Sequence, residues 1–309
     1  MKLAAEFPSV VHREGPEAIS RLVAGIEAIG YDQFEIFDHV AMGHPIEGRA
    51  PQPYPANMPL LEALMLLAYA AAATSTIGLG TEVLVLPQRH PTLVAKQVST
   101  LDTLSGGRLR LGVGVGWQES EYDALGMPFH QRGRMMDEAI AFMRAWWGDA
   151  SVDFDGEFFQ ARAMAMEPKP PQGAAIPIWV GGSSPAALRR AGTVGDGWLA
   201  SAGMGDSGVL AGFIEQVKEH AAAAGRDPAS LGFQAQLSPP PRSDDPGGRD
   251  FYRRPDDVVA VALAAKSAGF DAVAINATGV FLAGARSADA MLEALGALHD
   301  RLRAELGSD

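Results

Sequence analysis

Apolar positions along this chain switch repeatedly between a two-residue and a three-to-four-residue period, which predicts alternating strands and helices. Residues 2–7 and Gln33 to Phe37 read as the first two strands. Between them lies an amphipathic helix from Glu17 to Ile29, closed by Gly30. A long Pro/Gly loop, His39 to Pro59, leads into an alanine- and leucine-rich helix from Leu60 to about Thr74. Ile77 to Leu84 predicts a third strand, Thr92 to Leu104 a helix, and Leu109 to Val115 a fourth strand. Helical pattern resumes near Glu119 and again from Arg132 to Trp147, and residues 151–171 predict a small β insertion ending in a proline-rich link.

Beyond it the same alternation continues. Strands are expected at Ile178 to Val180, Gly197 to Ala200, Leu231 to Leu237 and Ala272 to Asn276. Helices are expected at Ala186 to Thr193, Val209 to Ala224, Asp256 to Ala268 and Ala288 to Leu306. About eight βα units with no composition break favour a single (β/α)8 TIM barrel over residues 1–309, with an open doubly wound sheet as the alternative. Chemistry in such a barrel gathers where the strands end.

The stretch Thr100 to Trp117, TLDTLSGGRLRLGVGVGW, is the sharpest local signal. A helix stops at Gly106-Gly107, and a strand follows whose far end alternates Gly112, Gly114 and Gly116 with valines. Bare backbone there either admits something flat, such as a cofactor ring, or marks a bulge or barrel bend. Neither the dinucleotide fingerprint G-x-G-x-x-G nor a P-loop fits.

Composition narrows the classes. Hydrophobic residues make up 47% of the 309, ample for a core, and no apolar run is long enough to span a membrane. The N-terminus reads as a strand, not a signal peptide, so a cytoplasmic location is expected. A net charge of −12 disfavours nucleic acid and anionic membrane as partners. The absence of cysteine excludes disulfides and thiolate chemistry, and no spacing of histidines and acids matches a metal site.

Candidate chemistry falls at strand ends. Asp38-His39 follows the second strand; histidine suits proton transfer near neutrality, and a neighbouring carboxylate can orient its ring. Adjacent strand residues face opposite ways, so at most one of the pair enters the barrel mouth unless the strand ends there. Glu82, inside an apolar strand, either lines the mouth or pairs with a basic neighbour such as Arg89. Gly181-Gly182-Ser183-Ser184-Pro185 joins a strand to a helix, with a serine to cap and a proline for the first helical position. That turn is either a phosphate seat or a plain capped connection. Loops 40–58, 201–208, 238–255 and 277–287 would shape the substrate site, the third carrying Arg242, Arg249, Arg253 and Arg254.

Four segments together strongly resemble the luciferase-like monooxygenase superfamily. They are GTEVLVLPQRHPTLVAKQVSTLDTLSGGRLRLGVGVGW, ALGMPFHQRGRMMDEAIAFMRAWW, FDGEFF…MEPKPPQ and PIWVGGSSPAALRRAGTVGDGWL. Within that superfamily the chain is most similar to the oxidoreductases that use the deazaflavin coenzyme F420. The resemblance implies a (β/α)8 barrel, often homodimeric, with the cofactor ring at the carboxyl ends of the strands. It implies His39 as acid or base beside the ring and Asp38 orienting or contacting it. It places Glu82-Val83 at a non-prolyl cis peptide behind the ring, Gly114, Gly116 and Trp117 beside it, and Gly181, Gly182, Ser183 and Ser184 on the phosphate. Sugar-phosphate dehydrogenases of this family carry an acid where Trp117 stands and a tryptophan where Met42-Gly43 stands, which argues against that substrate. The implied activity is hydride transfer between F420 and a small organic substrate. The alternatives are an FMN-dependent monooxygenase using reduced flavin and oxygen, and a non-catalytic flavin or deazaflavin binder.

Overall fold

The computed structural model describes residues 1–49, 53–201, 207–240, 242–245 and 247–307. Residues 50–52, 202–206, 241 and 246, which belong to three of the predicted substrate loops, lie outside the described residues.

In chain order the strands are β1 (Lys2–Glu6), β2 (Gln33–Ile36), β3 (Gly78–Thr81), β4 (Leu84–Val85), β5 (Leu109–Gly114), β6 (Val152–Asp155), β7 (Gln160–Met164), β8 (Ile178–Gly181), β9 (Gly197–Ala200), β10 (Gly232–Gln236) and β11 (Ala272–Asn276). β1 pairs in parallel with both β2 and β11, so the sheet closes on itself. The ring continues through β3, β5, β8, β9 and β10, every pair parallel, giving the predicted barrel. β4 extends the third strand's path and pairs with β5. The predicted insertion is an antiparallel hairpin of β6 and β7.

The helices are α1 (Pro16–Ile29), α2 (Ala63–Ala73), α3 (Pro91–Ser105), α4 (Glu119–Ala124), α5 (Arg132–Gly148), α6 (Pro185–Thr193), α7 (Ser207–Ala223), α8 (Pro255–Ala268), α9 (Ala277–Leu282) and α10 (Ala288–Leu306). Local chemistry sets their ends. Proline opens α1, α3, α6 and α8, where its missing N–H costs nothing. Gly30 and Gly106 close α1 and α3 in the left-handed conformation, with φ of 103° and 68°. α1 buries Leu22, Val23 and Ile26 completely, each worth about 1.5–3 kcal/mol relative to exposure.

Two elements differ from expectation. The single strand Ile77 to Leu84 is split into β3 and β4 at Glu82-Val83, whose peptide is cis. The start of the predicted loop 277–287 is α9, capped by Asn276, whose side chain accepts from the Gly279 amide. Asparagine is a strong N-cap that reads as a turn signal when it stands at a strand's end.

Period-two alternation turns one residue set into the barrel. Elsewhere a barrel of this kind is filled mainly by branched apolar layers; here Glu35, Arg110 and Gln234 are hydrogen-bonded across its interior. Glycines make the space. A Cβ on Gly197 or Gly232 would lie 2.5 Å or 2.3 Å from the Trp179 ring, which itself packs under the Arg110 guanidinium at 4.2 Å.

Candidate active site

Strand β2 ends at Ile36, and the chain then delivers Asp38 and His39 to the carboxyl end of the barrel, both buried. Their side chains part company. Asp38 takes a two-pronged ion pair from Arg89, at 2.7 and 2.9 Å, and accepts the Val85 amide at 3.0 Å. Burial raises its pKa, and the Arg89 guanidinium opposes that rise. Asp38 therefore ties the end of β2 to β4 and to the start of α3. Arg89, one of the two fates considered for Glu82, belongs instead to Asp38 and to Glu62.

His39 points the other way. Its Nδ1 lies 2.9 Å from Glu121 Oε2, and its ring meets Trp117 edge-on at 5.4 Å between centroids. Tyr54, from the long loop, packs at 6.3 Å from His39 and 6.4 Å from Trp117. Burial alone would raise the Glu121 pKa. Hydrogen bonds from His39 and the Ala41 amide, with the His39 charge, outweigh it and hold the group at about 2. An ionised carboxylate only accepts, so Nδ1 is the donor and Nε2 carries the lone pair in the neutral ring. Glu121 also receives the Val40 and Ala41 amides, at 2.5 and 3.0 Å. Gln118 clamps the next turn through the Gly43 amide and the Ala41 carbonyl. The histidine is thus oriented by α4, not by its neighbour Asp38.

The glycines of β5 answer differently from the expectation of bare backbone. A Cβ on Gly112 would meet the Thr81 carbonyl at 1.9 Å, on Gly114 the Val83 side chain at 2.5 Å, and on Gly116 Val85 at 2.6 Å. The space belongs to the adjoining β3–β4 chain. Gly181 serves the same purpose, its missing Cβ leaving room for Val83 Cγ1 at 2.9 Å. Val83, Gly114 and Gly181 are therefore one packed group directly before Trp117 and the GGSS turn. In that turn Gly182 has φ of 107° and its carbonyl accepts the Trp198 indole N–H. Ser184 caps α6 by accepting from the Ala187 amide at 3.2 Å, and Ser183 is half-buried.

Beside this group a cavity of about 780 Å³ opens over β1, β2, β10 and β11. Tyr54 and Phe37 wall it, Glu6, Glu82 and Gln236 lie along its polar side, and Arg13 and Arg249 reach it. Arg242, Arg253 and Arg254 of the same loop as Arg249 are spent on Asp244, Asp250 and Asp245. Glu82 thus lines the mouth. Its Oε2 accepts from Gln234 Nε2 at 3.1 Å, which also donates to Glu35 at 2.7 Å, and Glu35 is ion-paired with Arg110. Burial first, then the charge and hydrogen bond of Glu35 and the charge of Glu6, push the Glu82 pKa well up against the pull of Arg110. Burial and Glu35 push Glu6 up to about 8, and the hydrogen bond from Gln236 moderates it.

Sequence reasoning missed Glu121, Gln118, Tyr54, Glu6, Glu35 and Gln234. Glu6, Glu35 and Gln234 carried a readable signal, being polar residues at inward positions of otherwise apolar strands. Glu121 carried none, since an acid in a helix's first turn is ordinary.

The luciferase-like monooxygenase family model matches residues 2–246. An uncharacterized protein of Mycobacterium tuberculosis is 37% identical over 213 residues, covering 66% of this chain and 72% of that one. The F420-dependent glucose-6-phosphate dehydrogenase of Beutenbergia cavernae is 34% identical over 215 residues, 68% of this chain and 60% of its own. Among solved structures, an F420-dependent secondary alcohol dehydrogenase superposes with a TM-score of 0.77 at 18% identity over 98% of this chain and 99% of that one. The monooxygenase RslO1 from Streptomyces bottropensis gives 0.77 at 20% identity over 99% and 100%. These two share the fold. With the closed parallel barrel and the match over most of its length, the chain belongs to the luciferase-like monooxygenase family.

Proposed function

We propose that this protein is an oxidoreductase that moves a hydride between the deazaflavin coenzyme F420 and a small organic substrate, with His39 passing the accompanying proton. The observation that carries this reading is the buried His39–Glu121 pair standing against Trp117 at the barrel mouth. The F420-dependent relative at 34% identity supports the choice of cofactor.

The residues present fit such a group. Val83, Gly114 and Gly181 pack into a low wall that side chains on those glycines would disrupt, and the cis Glu82-Val83 peptide lies in it. Together with Gly116 and Trp117 they would hold the ring, and Gly181, Gly182, Ser183 and Ser184 would hold the phosphate at the amino end of α6. Pro185 brings no N–H, so the amides of that turn carry the anion. When bound, the deazaflavin supplies the carbon that accepts or gives the hydride.

The chain's own part is positioning and proton handling. Glu121 fixes the tautomer and plane of His39, leaving Nε2 as the atom that takes or returns a proton. It then stabilises the imidazolium through the same hydrogen bond. Asp38 acts from behind, anchoring the strand end through Arg89. Tyr54 and Trp117 cover the ring of His39 and keep water from it.

Titration of the purified protein with oxidised F420 and, separately, FMN tests this reading. Saturable binding of F420 with much weaker FMN is expected. The reverse preference would instead make it a flavin monooxygenase, and indifference to both would overturn the reading. F420 binding with no turnover across a broad substrate screen would leave a cofactor binder.

A homodimer and a cytoplasmic location go with this proposal. Met65 on α2 and Leu93 on α3, 70% and 58% exposed, form the apolar part of the contact we expect. Among the described residues no helix is long and apolar enough to cross a membrane.

A further inference from the structure

We propose that Arg13 and Arg249 form an anion clamp at the rim of the cavity over β1, β2, β10 and β11. The clamp holds the carboxylate or phosphate head of a substrate whose apolar body lies along Phe37, Met58 and Phe281. The proposal rests on the oxidoreductase reading and narrows its substrate to organic anions.

The first observation is which cations are left without a partner. Among the described residues, Lys2, Arg13, Arg189, Arg249 and Arg286 have neither an ion pair nor a side-chain hydrogen bond, in a chain with 37 acidic residues. Arg13 and Arg249 both line the cavity of about 780 Å³, a size suited to a small organic molecule. The Arg286 guanidinium lies 4.7 Å over the ring of Phe281, which lines it too. Arg242, Arg253 and Arg254, on the same loop as Arg249, all face acids.

The second is where the topology brings these residues. Arg13 follows β1, Arg286 follows β11 and Arg249 follows β10, and the three strands are neighbours in the barrel. Each of three adjacent strand-end loops therefore supplies one free arginine. Strand β8 stands opposite β1 in the ring. The GGSS turn proposed for the cofactor's phosphate follows β8, so the arginines belong to the other side of the mouth.

The third is the charge of the cavity. Its described lining carries two carboxyl groups, Glu6 and Glu82, and burial before all else favours their protonated forms at neutral pH. An anion entering there meets two guanidinium groups and no ionised carboxylate. The planar fork of arginine matches carboxylate and phosphate oxygens, and such charge-assisted hydrogen bonds are the strong ones. An ammonium head would be repelled, and an uncharged one would gain little.

The test uses four molecules on a phenylalkyl body: 4-phenylbutanoate, 3-phenylpropyl phosphate, 4-phenylbutanamide and 4-phenylbutylamine. Binding to the full-length protein at neutral pH is followed by calorimetry, without and with F420. The acid or the phosphate should bind at least about tenfold more tightly than the amide and the amine. Whichever of the two binds tighter identifies the head group. Added NaCl should shrink the preference. Arg13→Met combined with Arg249→Met should bring the acid, the phosphate and the amide within about twofold of one another. Lys2→Met combined with Arg189→Met, which removes free charges away from this cavity, should leave the preference intact. An amide that matches both anions, tightest binding of the amine, or no binding by any of the four would each overturn the proposal. So would a preference that survives the loss of Arg13 and Arg249, or one that falls equally in both double variants. Should the first double variant fail to fold, the wild-type preference and its salt dependence still decide. The cofactor titration is read separately. Failure of F420 to bind sinks only the cofactor reading, because the series on the cofactor-free protein still decides this one. A flat series with F420 bound sinks only the clamp.

Discussion

His39 Nδ1 donates to Glu121 Oε2 at 2.9 Å across 82 residues of chain, joining the loop after β2 to the first turn of α4. This contact sets which nitrogen of the histidine faces the chemistry. His39→Ala should lower turnover by about 10²–10⁴-fold while the Kd for F420 stays nearly constant. Unchanged turnover would remove His39 from the mechanism.

Glu121→Gln should lower kcat with little change in the substrate's KM. A glutamine amide can donate to Nδ1, which leaves the proton on Nε2, the wrong tautomer for a base. Glu121→Asp, which keeps the charge, should recover part of the loss. Steady-state kinetics on both variants check this, and a purely structural role for Glu121 would show equal losses in both.

Stability should fall as pH rises through the neutral range. Glu6 ionises near 4.5 when free and about 8 when folded, so between those values the folded chain holds a proton the unfolded chain has released. Raising the pH across that window therefore favours unfolding. Glu121, held at about 2, acts in the opposite sense, its contribution being lost only as pH drops from about 4.5 towards 2. Thermal melts at pH values across the window should show Tm declining, and Glu6→Gln should reduce the slope.

Asp38→Ala should cost about 3 kcal/mol, because it strands the Arg89 guanidinium, which is 13% exposed, and frees the Val85 amide. Urea unfolding measures it. A loss below about 1 kcal/mol would show that Arg89 finds adequate partners in Glu62 and water.

Gly197→Ala should destabilise by about 1–3 kcal/mol through overpacking. The added methyl would sit 2.5 Å from the Trp179 ring and 2.6 Å from the Gly232 carbonyl, neither of which swings away freely. Trp179→Leu should relieve part of that cost in the double variant, and additive losses would place the strain elsewhere.

The element order and the barrel class could be read from the chain because period, caps and glycine stops are local properties. Gly30 and Gly106 end their helices through their own backbone freedom. The Asp-His pair and the GGSS turn stand out in the sequence for the same reason, whereas the break of the third strand at Glu82-Val83 does not. Partner choice was not. Arg89 lies seven residues from Glu82 yet binds Asp38. The carboxylate that orients His39 comes from Glu121, not from Asp38 beside it. Gly112, Gly114 and Gly116 look open in the sequence but are filled by Thr81, Val83 and Val85. Hydrogen bonds and ion pairs fall off within a few ångströms, so only the closing of the barrel, which brings distant strand ends together, decides who meets whom.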